Sequence, residues 1–161
     1  MTLRRQATLY LPLPHCVQVE SLRSRFNRAQ FELIRAHVTL CREDEVLEWD
    51  ELAARLSRMK TIEVTQEFGM PVRDGNLVLI PAIGSTESFD SLRHSLLAKD
   101  GSSPRKSEPH ITLIHPRNGT CDDSVFNEIT RESQPFAVVF RAVTFIEQLT
   151  SGPWRDLATF G

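Results

Sequence analysis

Two copies of one short motif contain the residues of this sequence that are best suited to chemistry. Residues 37–40 are His-Val-Thr-Leu and residues 110–113 are His-Ile-Thr-Leu. The unperturbed pKa of histidine is about 6.5, so near neutral pH one imidazole can accept a proton while another donates one. A threonine hydroxyl near each imidazole adds a hydrogen-bond donor. The paired motifs therefore predict general acid-base chemistry carried by His37 and His110.

Each motif has the side-chain pattern of a half-buried strand. Residues two apart in a strand point to the same face, so His37 shares a face with Thr39, and His110 shares one with Thr112. The aliphatic residues between them point to the opposite face, into a core. If the two strands are related by a pseudo-twofold axis, their polar faces can converge on one cleft.

The predicted elements repeat along the chain. The predicted strands cover residues 7–13, 35–42, 61–68, 76–83, 110–114 and 154–160, with two further strands inside 136–148. The predicted helices cover residues 17–27, 44–59, 88–99 and 122–132. This order predicts one domain over residues 1–161, made of lobe-like repeats over approximately 1–84 and 85–161.

Composition limits the partners that the chain can have. The chain is 40% hydrophobic and 25% charged, as is typical of a globular domain. Its net charge of −2 gives no overall positive field for a long phosphate backbone, so a nucleic acid is expected to be held locally, at an end or as a single nucleotide. No apolar run approaches the length of a membrane span, and the cysteines lack zinc-site or disulfide spacing. We expect a cytoplasmic monomer without a membrane, metal or cofactor partner.

The paired motifs resemble those of the two-histidine (2H) phosphoesterase superfamily, which includes 2'-5' RNA ligase-like proteins and cyclic nucleotide phosphodiesterases. The resemblance covers nearly the whole chain, from a first strand that ends at Pro12 and Pro14 to a closing Trp154-x-x-Leu157-x-x-Phe160. It implies a bilobal, pseudo-twofold duplicated α+β fold, in which two antiparallel sheets line a central cleft and the helices lie outside. The sequence lacks a clear subfamily marker.

The resemblance also implies a metal-independent phosphodiesterase that acts on 2',3'-cyclic phosphates or 2'-5' linkages of nucleotides or RNA ends. One imidazole would take a proton from the nucleophile and the other would protonate the leaving oxygen, while Thr39 and Thr112 bind the non-bridging phosphate oxygens. The motifs do not tell which of His37 and His110 is the base. Run backwards, the same pair would act as an RNA 2'-5' ligase.

Several further residues are candidates on position alone. Tyr10 in the first strand could stack on a base, or could pack within the sheet. Arg117 follows the second motif and could reach a phosphate, or could be a solvated loop residue. Strand parity predicts that His115 faces away from the cleft, and that Arg42 does so unless its strand has ended. Trp154 is interpreted as a core anchor.

Two other classes of function remain open at this point. A non-catalytic RNA- or nucleotide-binding module could keep the same fold and the same phosphate-binding threonines, and tight binding without turnover would identify it. A metallohydrolase could use His37 and His110 as metal ligands. The sequence shows no carboxylate or third histidine at ligand spacing, which argues against a metal site.

Overall fold

A computed structural model describes all residues from 1 to 161 as strands, helices and their connections. The strands are β1 (Leu3–Tyr10), β2 (His37–Cys41), β3 (Val64–Phe68), β4 (Val72–Asp74), β5 (Leu77–Ile83), β6 (His110–Ile114), β7 (Phe136–Phe140), β8 (Val143–Leu149) and β9 (Trp154–Phe160). The helices are α1 (His15–Phe26), α2 (Arg28–Leu33), α3 (Trp49–Arg58), α4 (Glu87–Leu97) and α5 (Asp123–Arg131), with a 3-10 turn at Glu43–Glu45.

The strands form two sheets in which every pair is antiparallel. One sheet has the order β2-β1-β8-β9, and the other has the order β4-β5-β3-β7 with β6 paired to β5. Helices pack against these sheets, with α1 on β6 and α4 on both β2 and β3. The predicted α+β class with two antiparallel sheets is therefore confirmed. Each sheet combines strands from before and after Gly84, so neither sheet is built from one half of the chain alone.

The two motif strands occupy equivalent places in the two sheets. β2 pairs with β1, where Tyr10 lies opposite His37, and β6 pairs with β5, where Pro81 lies opposite His110. The register shifts at a bulge in both pairs, between Ala7 and Thr8 in β1 and between Val78 and Leu79 in β5. The two bulges are thus at the same distance from Tyr10 and Pro81. β2 and β6 also contact each other, which brings the two motifs together.

The aliphatic residues of the motifs hold these strands in register. Val38, Leu40, Ile111 and Leu113 are all buried to 1% exposure or less. Burying a side chain of this size stabilises the fold by about 1.5–3 kcal/mol. A slip of one residue would expose all four side chains and bury both imidazoles, so the core determines which face the histidines take.

Several elements differ from those predicted. The first strand, expected over residues 7–13, covers Leu3–Tyr10, and the strand expected over 61–68 begins at Val64. The helix expected over residues 44–59 begins only at Trp49, because the segment before it is held in a turn by Glu45. That carboxylate accepts from the Arg42 backbone N–H at 2.9 Å and pairs with buried Arg93 at 2.6 Å. Two short elements, α2 and β4, were not expected; Gly75, with φ of +58°, makes the turn from β4 to β5.

Candidate active site

One cleft contains both motifs. It has a volume of about 450 Å³, and its lining includes His37, His110, Thr39, Thr112 and Arg117. The structure thus brings together all of the sequence-selected residues except the tyrosine of β1. A larger groove of about 880 Å³ lies beside α4, but its polar lining consists of hydroxyl and carboxylate side chains without a histidine.

The two imidazoles are oriented by the same type of backbone contact. Nδ1 of His37 lies 2.8 Å from the carbonyl oxygen of Arg35, and Nδ1 of His110 lies 3.0 Å from the carbonyl oxygen of Glu108. Because a carbonyl only accepts hydrogen bonds, each Nδ1 is the donor and carries the proton of the neutral ring. Nε2 is therefore the nitrogen of each ring that is free to exchange a proton.

His37 lies in an environment that disfavours its charged form. Burial lowers the pKa of His37 to about 4, and the positive charges of Arg23 and His110 act in the same direction. The hydrogen bond to the Arg35 carbonyl opposes them. At neutral pH His37 is uncharged, so its Nε2 has a lone pair available to accept a proton.

Arg23 places a permanent charge in the wall of the cleft beside His37. It extends from α1, is 2% exposed, and lines the cleft. Its guanidinium pairs with Glu20 and donates to the Ile34 carbonyl at 2.8 Å, while its Nε has no partner. These contacts tie α1 to the segment that leads into β2, and thereby fix the charge relative to the imidazole.

The cleft is positively charged although the chain as a whole is slightly negative. The arginines that line it are Arg4, Arg5, Arg23, Arg42 and Arg117. Two of these pair with the carboxylates of Glu147 and Glu20, and the other three are in no ion pair. Of the two acids in the lining, Glu43 and Asp44, the second pairs with Arg105 at 3.0 Å. The cleft is therefore suited to an anionic ligand.

Strand parity was used to predict which way His115 and Arg42 face, but both residues lie just beyond the ends of their strands. β6 ends at Ile114, so parity no longer applies to His115, which lines the cleft; the prediction that it faces away is wrong. β2 ends at Cys41, and Arg42 accordingly lines the cleft too, as expected if the strand had ended. The backbone N–H of Arg117 donates to His115 Nδ1 at 3.1 Å, which shapes the turn after β6.

Tyr10 lies outside the lining of the cleft. Its hydroxyl donates to an Asp156 carboxylate oxygen at 2.6 Å, and the Arg35 guanidinium lies 4.0 Å from the centroid of its ring. Burial raises the pKa of the Tyr10 hydroxyl, and the hydrogen bond to Asp156 raises it further. Because Tyr10 is absent from the cleft lining and its hydroxyl is bonded within the protein, packing is favoured over base stacking as the role of this residue.

Trp154 is not the core anchor that its sequence position suggested. It is half-buried and lines the cleft, with the Arg4 guanidinium 5.3 Å from its ring centroid. Arg4, Arg5 and Gln6, at the start of β1, also line the cleft and were not selected from the sequence. A polar start to a strand that is otherwise apolar was the signal that could have revealed them.

The structure also bears on metal binding and on membrane insertion. No group of three or more His, Cys, Asp or Glu side chains has an arrangement that could hold a metal ion. None of the helices combines the length and apolar character needed to cross a membrane. All three cysteines are free, and burial raises the pKa of Cys41 to about 12.

Comparisons with known proteins bear on the family and the fold. The sequence model of the 2'-5' RNA ligase superfamily matches residues 11–152, which include both motifs. The structure of E. coli LigT complexed with NADP+ is similar, with a TM-score of 0.65 at 16% identity over 98% of this chain and 96% of that chain. LigT complexed with 3'-AMP gives a TM-score of 0.62 at 17% identity over 98% and 96% of the two chains.

A third solved structure, described as a phosphoesterase, gives a TM-score of 0.65 at 16% identity over 99% of this chain and 98% of that chain. At these identities the likeness shows a common fold over essentially the full length. No curated protein matches the chain by sequence.

Proposed function

Since the chain belongs to the 2'-5' RNA ligase superfamily, we propose that it is a metal-independent phosphodiesterase acting on 2',3'-cyclic phosphates or 2'-5' linkages of nucleotides or RNA ends. The observation that carries this proposal is the matched pair of imidazoles. Nδ1 of His37 and Nδ1 of His110 each donate to the backbone carbonyl two residues earlier, and both rings line one positive cleft. This leaves two Nε2 atoms for the two proton transfers of a phosphoryl displacement.

The surroundings of His37 support an assignment of roles in hydrolysis. Uncharged His37 is the base: its Nε2 takes a proton from water as the water oxygen forms a bond to phosphorus. His110 is the acid: its Nε2 proton goes to the ribose oxygen as the bond between that oxygen and phosphorus breaks. Binding of the anionic phosphate offsets the charge of Arg23 and raises the proton affinity of His37 when the proton is transferred.

The hydroxyls of Thr39 and Thr112 complete the proposed site. Each lies two residues beyond its histidine, on the same face of its strand and in the same cleft. Donation from these hydroxyls to the non-bridging oxygens stabilises the charge that these oxygens carry in the transition state. The proposed chemistry thus needs only this chain, its substrate and a water molecule.

The ligands named for the structures of LigT agree with an anionic nucleotide as ligand here. LigT has been crystallised with 3'-AMP, with phosphate, with NADP+ and with ATP. All of these carry phosphate, and a cleft with three unpaired arginines would favour that group over a neutral one.

The proposal is tested by an assay of the purified protein against 2',3'-cyclic mononucleotides and against 2'-5' and 3'-5' linked dinucleotides. The assay contains EDTA, and the products are resolved as 2'- or 3'-phosphates. We expect hydrolysis that survives chelation. The control is His94→Ala, which changes an exposed histidine on α4 and should keep wild-type rates.

Two outcomes would contradict the proposal. If EDTA abolishes turnover and zinc or manganese restores it, the protein is a metallohydrolase. If nucleotides bind tightly and no product forms from any member of the panel, the protein is a binding module of the same fold.

A further inference from the structure

Three strands of the sheet that carries His37, namely β1, β8 and β9, build one end of the cleft. Arg4 in β1, Gln148 in β8 and Trp154 in β9 lie opposite one another in register. The Arg4 guanidinium lies 5.3 Å from the centroid of the Trp154 ring and donates to Gln148 Oε1 at 3.3 Å. The Gln148 amide in turn donates to the Gly152 carbonyl at 2.8 Å. These contacts hold the arginine and the indole in fixed positions.

A second arginine without an ion-pair partner lines the same cleft from the other sheet. Arg117 follows β6, in the turn that His115 helps to shape. Arg117, His115 and Arg4 all line the cleft. Burial lowers the pKa of His115, and the charges of Arg117 and Arg4 act in the same direction. Arg4 and Arg117 therefore place two guanidinium groups that have no ion-pair partner in the same cleft as His115.

These two guanidinium groups bring more positive charge to the cleft than the reacting phosphodiester requires. A phosphodiester carries one negative charge, and the motif hydroxyls with the proton of His110 already provide for it. Neither Arg4 nor Arg117 is in an ion pair, and two like charges that line one cleft repel each other. A second phosphate on the ligand would remove this repulsion and accept charge-assisted hydrogen bonds from both guanidinium groups.

Trp154 adds an aromatic surface beside these cations. Trp154 is half-buried and lines the cleft. Indole rings stack on nucleobases of any sequence, and an adjacent arginine strengthens such a platform. An aromatic ring and two unpaired guanidinium groups together match the base and the second phosphate of one nucleotide.

We infer that Trp154, Arg4 and Arg117 form a subsite for a nucleoside that carries a 5'-phosphate in addition to the phosphodiester that reacts at His37 and His110. This inference rests on the proposed function and narrows its substrate class. The 5'-phosphate can come from two sources: it can be the terminal group of a phosphorylated mononucleotide, or it can link the nucleoside to the rest of an RNA chain.

The kinetic test uses three substrates that differ at this position. They are adenosine 2',3'-cyclic phosphate, the same compound with a 5'-phosphate, and an adenosine dinucleotide that ends in a 2',3'-cyclic phosphate. We expect the second phosphate to raise kcat/KM about ten- to a hundred-fold, from one or two charge-assisted hydrogen bonds. A gain with the dinucleotide alone identifies RNA ends as the source. Equal kcat/KM for all three substrates would overturn the inference.

Variants test which residues produce the gain in kcat/KM. In Arg4→Gln and Arg117→Gln, the ratio of kcat/KM with and without the 5'-phosphate should fall toward one. Arg58→Gln removes the same charge from an exposed position on α3 and should keep the wild-type ratio. Trp154→Leu should reduce, about five- to a hundred-fold, the preference for adenosine over methyl riboside 2',3'-cyclic phosphate, which has no base; Trp154→Phe should keep most of that preference.

A binding experiment tests the subsite without turnover. Calorimetry compares adenosine 3',5'-bisphosphate with 3'-AMP, and we expect the bisphosphate to bind at least ten-fold more tightly to the wild type but not to Arg4→Gln. If the wild type hydrolyses nothing and yet shows this difference in Kd, the proposed function fails and the subsite stands. If cyclic phosphates are hydrolysed and the two Kd values are equal, the subsite fails and the proposed function stands.

Discussion

The helices that follow β1 and β5 each contribute one fully buried arginine, and the two arginines are used differently. Arg23 on α1 and Arg93 on α4 are both 2% exposed. Arg93 is neutralised by the buried carboxylate of Glu45, and it also donates to the Leu40 carbonyl of β2. Arg23 pairs with Glu20, which is more exposed, and it faces the cleft beside His37.

This difference shows how two strand pairs with the same backbone geometry can give their histidines different electrostatic surroundings. The strand pairs β1–β2 and β5–β6 place the two imidazoles in the same backbone geometry, so the frame alone cannot distinguish base from acid. Around His37, burial chiefly, and the charge of cleft-facing Arg23 in addition, favour the uncharged imidazole, and this supports the proposed role of His37 as the base. On the other side, Arg93 fastens the turn after β2 to α4 and has no place in the cleft lining.

The largest expected effect comes from breaking the pair of imidazoles. His37→Ala and His110→Ala should each lower kcat/KM about a hundred- to ten-thousand-fold, and the double variant should lose little more, since both groups act in one step. The assigned roles predict a further difference, measured as a pH-rate profile. Hydroxide can replace a missing base, so the rate of His37→Ala should rise with pH, whereas that of His110→Ala should not. Normal turnover by both variants would make these residues structural, and the same rise with pH in both would remove the assignment.

The next largest expected effect is a loss of stability when either of the two buried arginines is replaced. Arg93→Met leaves the buried Glu45 carboxylate without its main partner, and it should lower the free energy of unfolding by about 3–5 kcal/mol. Arg23→Met should cost less, because Glu20 has access to solvent. Urea unfolding of both variants checks this order, with Arg58→Met on the exposed end of α3 as the control. Equal losses of stability for the two buried sites would contradict the comparison.

The sequence predicted those parts of the molecule that depend on local patterns. β6 and β9 have the predicted bounds, since alternating apolar residues and flanking prolines define them locally. The helix over 44–59 was mispredicted because the contact between Glu45 and Arg93 joins residues on different elements. The Trp154 end of the cleft was missed for the same reason: it exists only where the first strand and the last strands pair, as Arg4 does with Gln148.

The smallest expected effect is a pH dependence of stability that arises from His37. The folded state lowers the pKa of His37 to about 4, whereas the unfolded chain has the ordinary value of about 6.5. Between these values the unfolded chain binds a proton that the folded protein does not. The group therefore destabilises the fold as the pH falls, by about 1.4 kcal/mol for each pH unit below 6.5, until His37 itself is protonated near pH 4.

The measurement of this pH effect is a difference between variants. Urea unfolding of the wild type and of His37→Asn is compared at pH 7, 6 and 5, and the wild type should lose stability more steeply. Carboxylates with lowered pKa values, such as Glu45 and Glu147, also contribute stability that is lost as the pH falls. Because both proteins contain these carboxylates, their contribution cancels in the difference. Thr39→Val alters the same cleft without removing a titrating group, so it should follow the wild-type slope. Parallel slopes for wild type and His37→Asn would mean that His37 is not held uncharged, and the assignment of the base would then have no electrostatic support.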